Sequence, residues 1–595
     1  MSKHPKMAKY YHTQEMQTMM PGIAMYEGES YDKLVNASLS KYCGWLSPIS
    51  FGLACFNWLS HLSMSPAKQM DVTKKACSNY TQFLLYTSKH FGHQQLNPCI
   101  ESKINDHRFD HDLWNLFPFD AFSQGFLLYE QVWDETTTGV RGVAQHHLDM
   151  VNFVSRQMLD VVSPSNYAFT NPEVLMTTFY QGGINFVNGY QNLLDDISRA
   201  ITKSSPAGSE NFKVGENLAT TPGKVVYRND LIELIQYEPT TATVHKEPML
   251  IVPAWIMKYY ILDLSPHNSL VKYFVNQGHT VFMISWKNPK QEDRNLGLED
   301  YVNLGVMSAL TAINTIVPDT KVNAIGYCIG GTLLMIAAGF MAGKSDDRFN
   351  TISLFAAQVD FKEAGELSIF IDESQITYLE DIMWEKGYFD GKQMAGAFSM
   401  LRSSELIWSR LIRDYLLGER QRLFDIMAWD HDTTRLPYKM HSEYLRKLFY
   451  QNQLTQGKFS LFGKRVALGD INTPMFAVST VSDHVAPWKS VYKIHLYTKT
   501  DVTFILTTGG HNAGIVSEPN HPNRSYQMMT RSKGDKHMSS DHWHEIAPKF
   551  KGSWWPELDQ WLTKASAGEI KPPSLGKPDV YPVLCDAPGT YVFQK

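Results

Sequence analysis

The chain has 595 residues, more than one hydrophobic core ordinarily supports, so two domains are expected. Apolar residues make up 43% and charged residues 19%, which excludes a disordered or fibrous chain. A net charge of −5 supplies no basic surface to displace counterions, and nucleic acid is excluded as a partner. The six cysteines (Cys43, Cys55, Cys77, Cys99, Cys328 and Cys585) form no C-x-x-C pair and no disulfide framework, so a reducing cytosol is expected. Residues 1–14 lack the apolar core of a signal peptide, and no apolar run is long enough to span a membrane. Any association with a lipid-like phase is therefore peripheral.

Residues 1 to about 200 carry apolar side chains at helical spacing, as in Leu127-Leu128-Tyr129 and Met150-Val151-Phe153-Val154. Ser163-Pro164-Ser165-Asn166 breaks that pattern, and Thr170-Asn171-Pro172-Glu173 has the form of a helix start. The small, polar stretch Lys203-Ser204-Ser205-Pro206-Ala207-Gly208-Ser209 reads as a linker. It divides a mainly α-helical N-terminal domain, 1–205, from a second domain, 206–595. There the pattern changes to short β-rich runs: Met249 to Val252, Val281 to Ile284, Val322 to Ile325, Ile352 to Phe355, Met475 to Val478 and Val502 to Leu506. Continuous apolar strands alternating with helices predict a parallel sheet covered on both faces. Residues from about 360 to 445 interrupt the rhythm with aromatic-rich, helix-like sequence. They predict a cap over the carboxyl ends of the strands, where open α/β sheets keep their sites.

The third of these runs leads into Gly326-Tyr327-Cys328-Ile329-Gly330-Gly331-Thr332. Small residues on both sides of a strand-to-helix turn mark the nucleophile elbow of the α/β-hydrolase fold, usually G-x-S-x-G. Here sulfur stands in place of oxygen. The orienting acid and the base follow the nucleophile in that order in this fold. Asp483 comes just after the run Met475 to Thr480, and His511 comes in a Gly-rich loop after Thr503 to Leu506. Cys328, Asp483 and His511 are therefore the candidate triad. The backbone N–H groups of Ile329 and Ile256 are the candidate oxyanion donors. His484 is either a partner of the site or a plain turn residue.

Cys55 and Cys585 read as packed thiols. His537, His542, His544 and Glu545 do not match the spacing of a helical metal site, and His146 and His147 are expected on solvated surface. No metal is expected. With neither a Walker loop nor a dinucleotide fingerprint, no cofactor is expected either.

The cysteine elbow resembles the cysteine box of class I polyhydroxyalkanoate synthases. Ser163 to Tyr167 with Thr170 to Glu173, Lys258 to Leu264, Ser285 to Pro289 and Gly552 to Pro556 are similar to further blocks of that family. The match covers most of the chain and is weakest over residues 1–100. Three places depart from the family pattern: Ala254 stands where a proline is usual, Asn512 where an apolar residue is usual, and Trp429-Asp430-His431-Asp432 changes two polar positions. The resemblance implies an α/β-hydrolase domain with a cap, preceded by a helical domain. It implies polymerisation of (R)-3-hydroxyacyl-CoA, mainly the short 3-hydroxybutyryl unit, with release of CoA from a cysteine-bound acyl group. It further implies a cytoplasmic homodimer on the surface of polyester granules, and it places Arg402 near the CoA entrance. The alternatives are a cysteine thioesterase or lactone hydrolase of the same fold, and a non-catalytic granule protein.

Overall fold

The computed structural model describes residues 28–90, 97–103, 106–202, 204–391, 393–394, 396, 400 and 403–595. The six apolar runs of the second half become neighbouring strands with almost no exposed surface. In chain order the sheet contains β1 Gly223–Arg228, β2 Ile232–Tyr237, β3 Met249–Val252, β4 Val281–Trp286, β5 Val322–Tyr327 and β6 Phe349–Phe355. It continues with β7 Met475–Thr480, β8 Val502–Thr507, β9 Ser525–Arg531, β10 Lys549–Lys551 and β11 Cys585–Asp586. Across the sheet the order is β10-β9-β8-β7-β6-β5-β3-β4-β2-β1-β11. From β8 to β4 all neighbours are parallel. The strands outside them pair antiparallel.

Parallel neighbours need long crossovers, and helices supply them on the faces of the sheet. The helix Ile329–Ala342 after β5 is buried from Ile329 to Met341, which explains its nearly uninterrupted apolar sequence. Each large side chain buried this way contributes about 1.5–3 kcal/mol relative to exposure. Register aligns the carboxyl ends of the strands: Tyr327 lies beside Phe355, Val478 beside Phe355 and Thr480 beside Thr507. The loops after β5, β7 and β8 therefore emerge along one edge.

Between β6 and β7 the chain leaves the sheet and returns 119 residues later by number (475 − 356), carrying the helices Glu373–Lys386, Asp425–Asp430 and Tyr438–Glu443. The last continues as a wider-turned helix to Tyr450. The stretch after Trp429 runs back along the loop that follows β3. Met257 and Thr433 form an antiparallel bridge, and the Thr434 amide donates to the Ile256 carbonyl at 2.9 Å.

Seven helices of the N-terminal region are α1 Gly28–Cys43, α2 Pro48–Ser63, α3 Pro66–His90, α4 Phe119–Thr137, α5 Gln145–Val161, α6 Pro172–Gln181 and α7 Ile184–Thr202. Helix α6 starts where the sequence predicts, because the Asn171 side chain accepts the amides of Glu173 and Val174 at 3.0 and 3.2 Å. Helix α1 packs on Glu373–Lys386, and Gln375 accepts the Ser47 amide at 2.8 Å. Helix α7 packs on residues 411–416, so closely that a Cβ on Gly189 would collide with the Tyr415 backbone. The opposite face of α7 presents Ile184, Val187, Tyr190, Leu194, Ile197 and Ile201 to solvent, with Ile201 77% exposed. One expectation fails here: His146 and His147 are half-buried rather than solvated, because His146 faces Asp372 of the inserted segment at 3.4 Å.

Candidate active site

Cys328 caps the helix Ile329–Ala342 with φ 53° and ψ −129°, a backbone conformation that costs energy for any residue with a Cβ. The strain persists because its neighbours leave no other path. A Cβ on Gly326 would meet the Gly331 backbone, one on Gly330 would meet the Val252 carbonyl, and one on Gly331 would meet Ala357. The three glycines let the helix start press against the strand ends, and the thiol is pushed out of the turn. As the first residue of the helix, Ile329 has an amide with no acceptor inside the helix. Ile256 lies in the half-buried loop after β3, whose end Val252 pairs beside Gly326.

Asp483 and His511 reach the same edge from the loops after β7 and β8. His511 Nδ1 and Asp483 Oδ2 are 2.7 Å apart. The second carboxylate oxygen accepts the amides of Val485 and Ala486 at 2.9 and 2.8 Å. Burial opposes the charge on Asp483, but His511 and these two amides overcome it and hold the carboxyl below its usual range. Burial also opposes an imidazolium at His511. Asp483 and the Cys328 sulfur, each acting through charge and hydrogen bonding, still lift it well above its usual value. The imidazole is thus held between acid and thiol, the order that nucleophile activation requires.

The inserted segment brings an aromatic side chain near the sulfur. Tyr444 comes near enough for Cys328 to act on its hydroxyl electrostatically, and it belongs to an aromatic cluster with Phe361 and Phe449, whose ring centroids are 4.7 Å apart. His441 stacks on Phe389 at 5.0 Å, and burial pushes it down to about 3, so it is neutral. Two contacts went unforeseen in the sequence. Tyr327 donates to Asn512 Oδ1 at 2.6 Å, and Asn512 Nδ2 donates to Asp430 Oδ1 at 3.1 Å. The unusual polar residue at 512 was the available signal.

Of the remaining candidates, His484 is half-buried beside Asp483, with its carbonyl against Gly365. Arg402 lies outside the described residues. Among the described residues no group of His, Cys, Asp and Glu is arranged to hold a metal ion. No described helix is long and apolar enough to cross a membrane.

Comparison with known proteins decides the family. Residues 105–274 match the model described as "Poly-beta-hydroxybutyrate polymerase (PhaC) N-terminus", and residues 27–68 match "Poly-beta-hydroxybutyrate polymerase N terminal". Residues 247–517 match the α/β-hydrolase fold. A poly(3-hydroxyalkanoate) polymerase of Methylorubrum extorquens is 37% identical, covering 89% of this chain and 87% of its own. The polymerase subunit of Rhizobium meliloti is 38% identical over 90% of this chain and 86% of its own. That of Cupriavidus necator is 30% identical over 91% of each. The chain belongs to the poly(3-hydroxyalkanoate) polymerase family. It is an enzyme, an acyltransferase with an α/β-hydrolase domain behind a helical N-terminal region. The resemblance read from the cysteine elbow is the one these relatives bear out.

Proposed function

We propose that this polymerase joins (R)-3-hydroxyacyl units, mainly 3-hydroxybutyryl, from their CoA thioesters while Cys328 carries the growing chain. The observation that carries this reading is a cysteine on a strained elbow whose partner imidazole is already bound to a buried carboxylate. His511 takes the thiol proton, and the Cys328 sulfur attacks the thioester carbonyl. The tetrahedral oxyanion is met by the amides of Ile329 and Ile256, where loss of one donor costs about 3 kcal/mol of barrier. The carbon–sulfur bond to CoA breaks, and the proton held by His511 leaves with the CoA thiol. The acyl-enzyme is again a thioester, so its free energy stays near that of the substrate. The 3-hydroxyl of a monomer or chain then attacks its carbonyl: the ester bond forms, the carbon–sulfur bond to Cys328 breaks, and the hydroxyl proton, taken by His511 or Asp483, returns to the Cys328 thiolate. The aromatic cover of Phe361, Tyr444 and Phe449 supports exclusion of water, which would otherwise release a hydroxy acid and end the chain.

Residues 1–205 act in this reading as a helical unit that holds the enzyme, as a homodimer, on the surface of a polyester granule in the cytoplasm. The exposed apolar stripe of α7 supports such an attachment. Arg402 is assigned to substrate binding on sequence resemblance, and His484 through its place next to Asp483. The test is incubation with 3-hydroxybutyryl-CoA and its six-carbon homologue, following thiol release and product. Polyester from the four-carbon substrate, lost in Cys328→Ala, is expected. Soluble hydroxy acid as the sole product, or thiol release by Cys328→Ala, overturns the reading.

A further inference from the structure

Asn512 and Asp430 are 82 residues apart and sit at two of the places where this sequence departs from its family's pattern. In the fold they touch. Asn512 follows the catalytic histidine candidate directly. Tyr327 precedes Cys328 directly, and Asp430 ends the helix Asp425–Asp430 of the inserted segment. The Asn512 amide joins all three elements, accepting from the Tyr327 hydroxyl at 2.6 Å and donating to Asp430 at 3.1 Å. A side-chain amide accepts with its oxygen and donates with its nitrogen, so it can serve a hydroxyl and a carboxylate together. An apolar side chain at 512 would remove the acceptor of the Tyr327 hydroxyl, whose ring is buried, and leave exposed Asp430 to water.

The bridge lies against the reacting groups. The Tyr327 and His511 rings are 5.7 Å apart at their centroids. Three groups face the Asp430 carboxyl: His511 and Asn512 from the histidine loop and Tyr327 from the elbow. His431 beside it is held low by burial and by Arg410, while Asp432 turns to the Tyr260 hydroxyl at 2.8 Å. Asp430 keeps open surface, yet the protein around its carboxyl raises it to about 7, with the nearby His511 acting in the opposite sense. Ionised Asp430 is the better acceptor, because hydrogen bonds to a charged group are about twice as strong as neutral ones.

We propose that Asn512 and Asp430 are paired positioning residues that latch the inserted segment to the histidine loop and the elbow, setting His511 in register with Cys328. The inference rests on the proposed roles of Cys328 and His511 and adds a residue pair to them. The latch transfers no proton to substrate. It holds the imidazole and the cover over the thiol in one arrangement, and the Asp430 charge favours the imidazolium.

The test is a double-mutant cycle on the full-length enzyme with 3-hydroxybutyryl-CoA, reading CoA release and the mass of the acylated protein. Asn512→Leu and Asp430→Leu are each expected to lower kcat about tenfold with KM changed less than about threefold, and the double variant is expected to be no worse than either single one. Asp430→Asn keeps an acceptor, so kcat is expected within about threefold of wild type. Its His511 limb in the pH profile of kcat/KM is expected at lower pH, because the charge is gone. Losses that multiply in the double variant, or wild-type kcat in Asn512→Leu, overturn the proposal. Should Asp430→Leu fail to fold, Asn512→Leu and Asp430→Asn decide it through the kcat–KM split and the pH limb. Failure of the underlying reading is distinguishable: Cys328→Ala would then release CoA, whatever the latch variants do.

Discussion

The sheet region and the N-terminal helices use similar side chains for different ends. Ile325 on β5 and Ile197 on α7 are both isoleucines in regular structure, yet Ile325 has 0% exposure and Ile197 has 46%. In the sheet every apolar run is sandwiched, so burial fixes the strand ends and with them the three loops that carry the candidate triad. On α7 one face is polar and docked, with Asn192 donating to the Asp414 carbonyl at 2.9 Å, while the apolar face stays open. Apolar character alone therefore does not distinguish a buried scaffold from an open face. What the opposite face of the element is doing makes the distinction.

That contrast can be broken or sharpened by substitution. The largest effect is expected from Cys328→Ala, which should abolish thiol release in a spectrophotometric assay while the sheet stays folded by circular dichroism. Asp483→Asn should lower kcat by roughly 10³–10⁴-fold, since the imidazole loses its orienting acceptor. The same variant should change the pH dependence of stability. His511 titrates above its ordinary value in the fold, so its stabilisation is whole below about 6.5 and fades as pH rises through the folded value. Asp483 titrates below its ordinary value, so its share is whole above about 3.9 and fades as pH falls through the folded value. Urea titrations at several pH values should show both limbs in the wild type; in Asp483→Asn the acid limb should be gone and the alkaline limb reduced, since Cys328 still acts on His511.

Next in size, Ile325→Ala should cost about 2–5 kcal/mol of stability through the cavity it leaves. Gly330→Ala should cost about 1–3 kcal/mol, because its Cβ has no room beside Val252, and it should lower activity with it. The smallest effect is expected from Ile197→Ala, within about 0.5 kcal/mol in the same urea titration. A loss at Ile197 as large as at Ile325 would show that α7 is covered in solution.

The parallel core was legible because six continuous apolar runs admit few other arrangements, and the order Cys328, Asp483, His511 was legible because such sheets align their strand ends. The antiparallel flank was not. Strand β9, Ser525–Arg531, mixes Gln527, Thr530 and Arg531 with its methionines, and its pairing to β8 and β10 is a tertiary fact with no local signature. Contacts between distant segments were equally hidden. Nothing in the sequence around His146 announces Asp372, and Asn512 looked like an oddity until its two partners came into view.

The near-contact of Gly189 with Tyr415 has a mechanical consequence. With no side chain between them, α7 and residues 411–416 of the inserted segment meet backbone to backbone. A displacement of either one is therefore passed to the other with little slack.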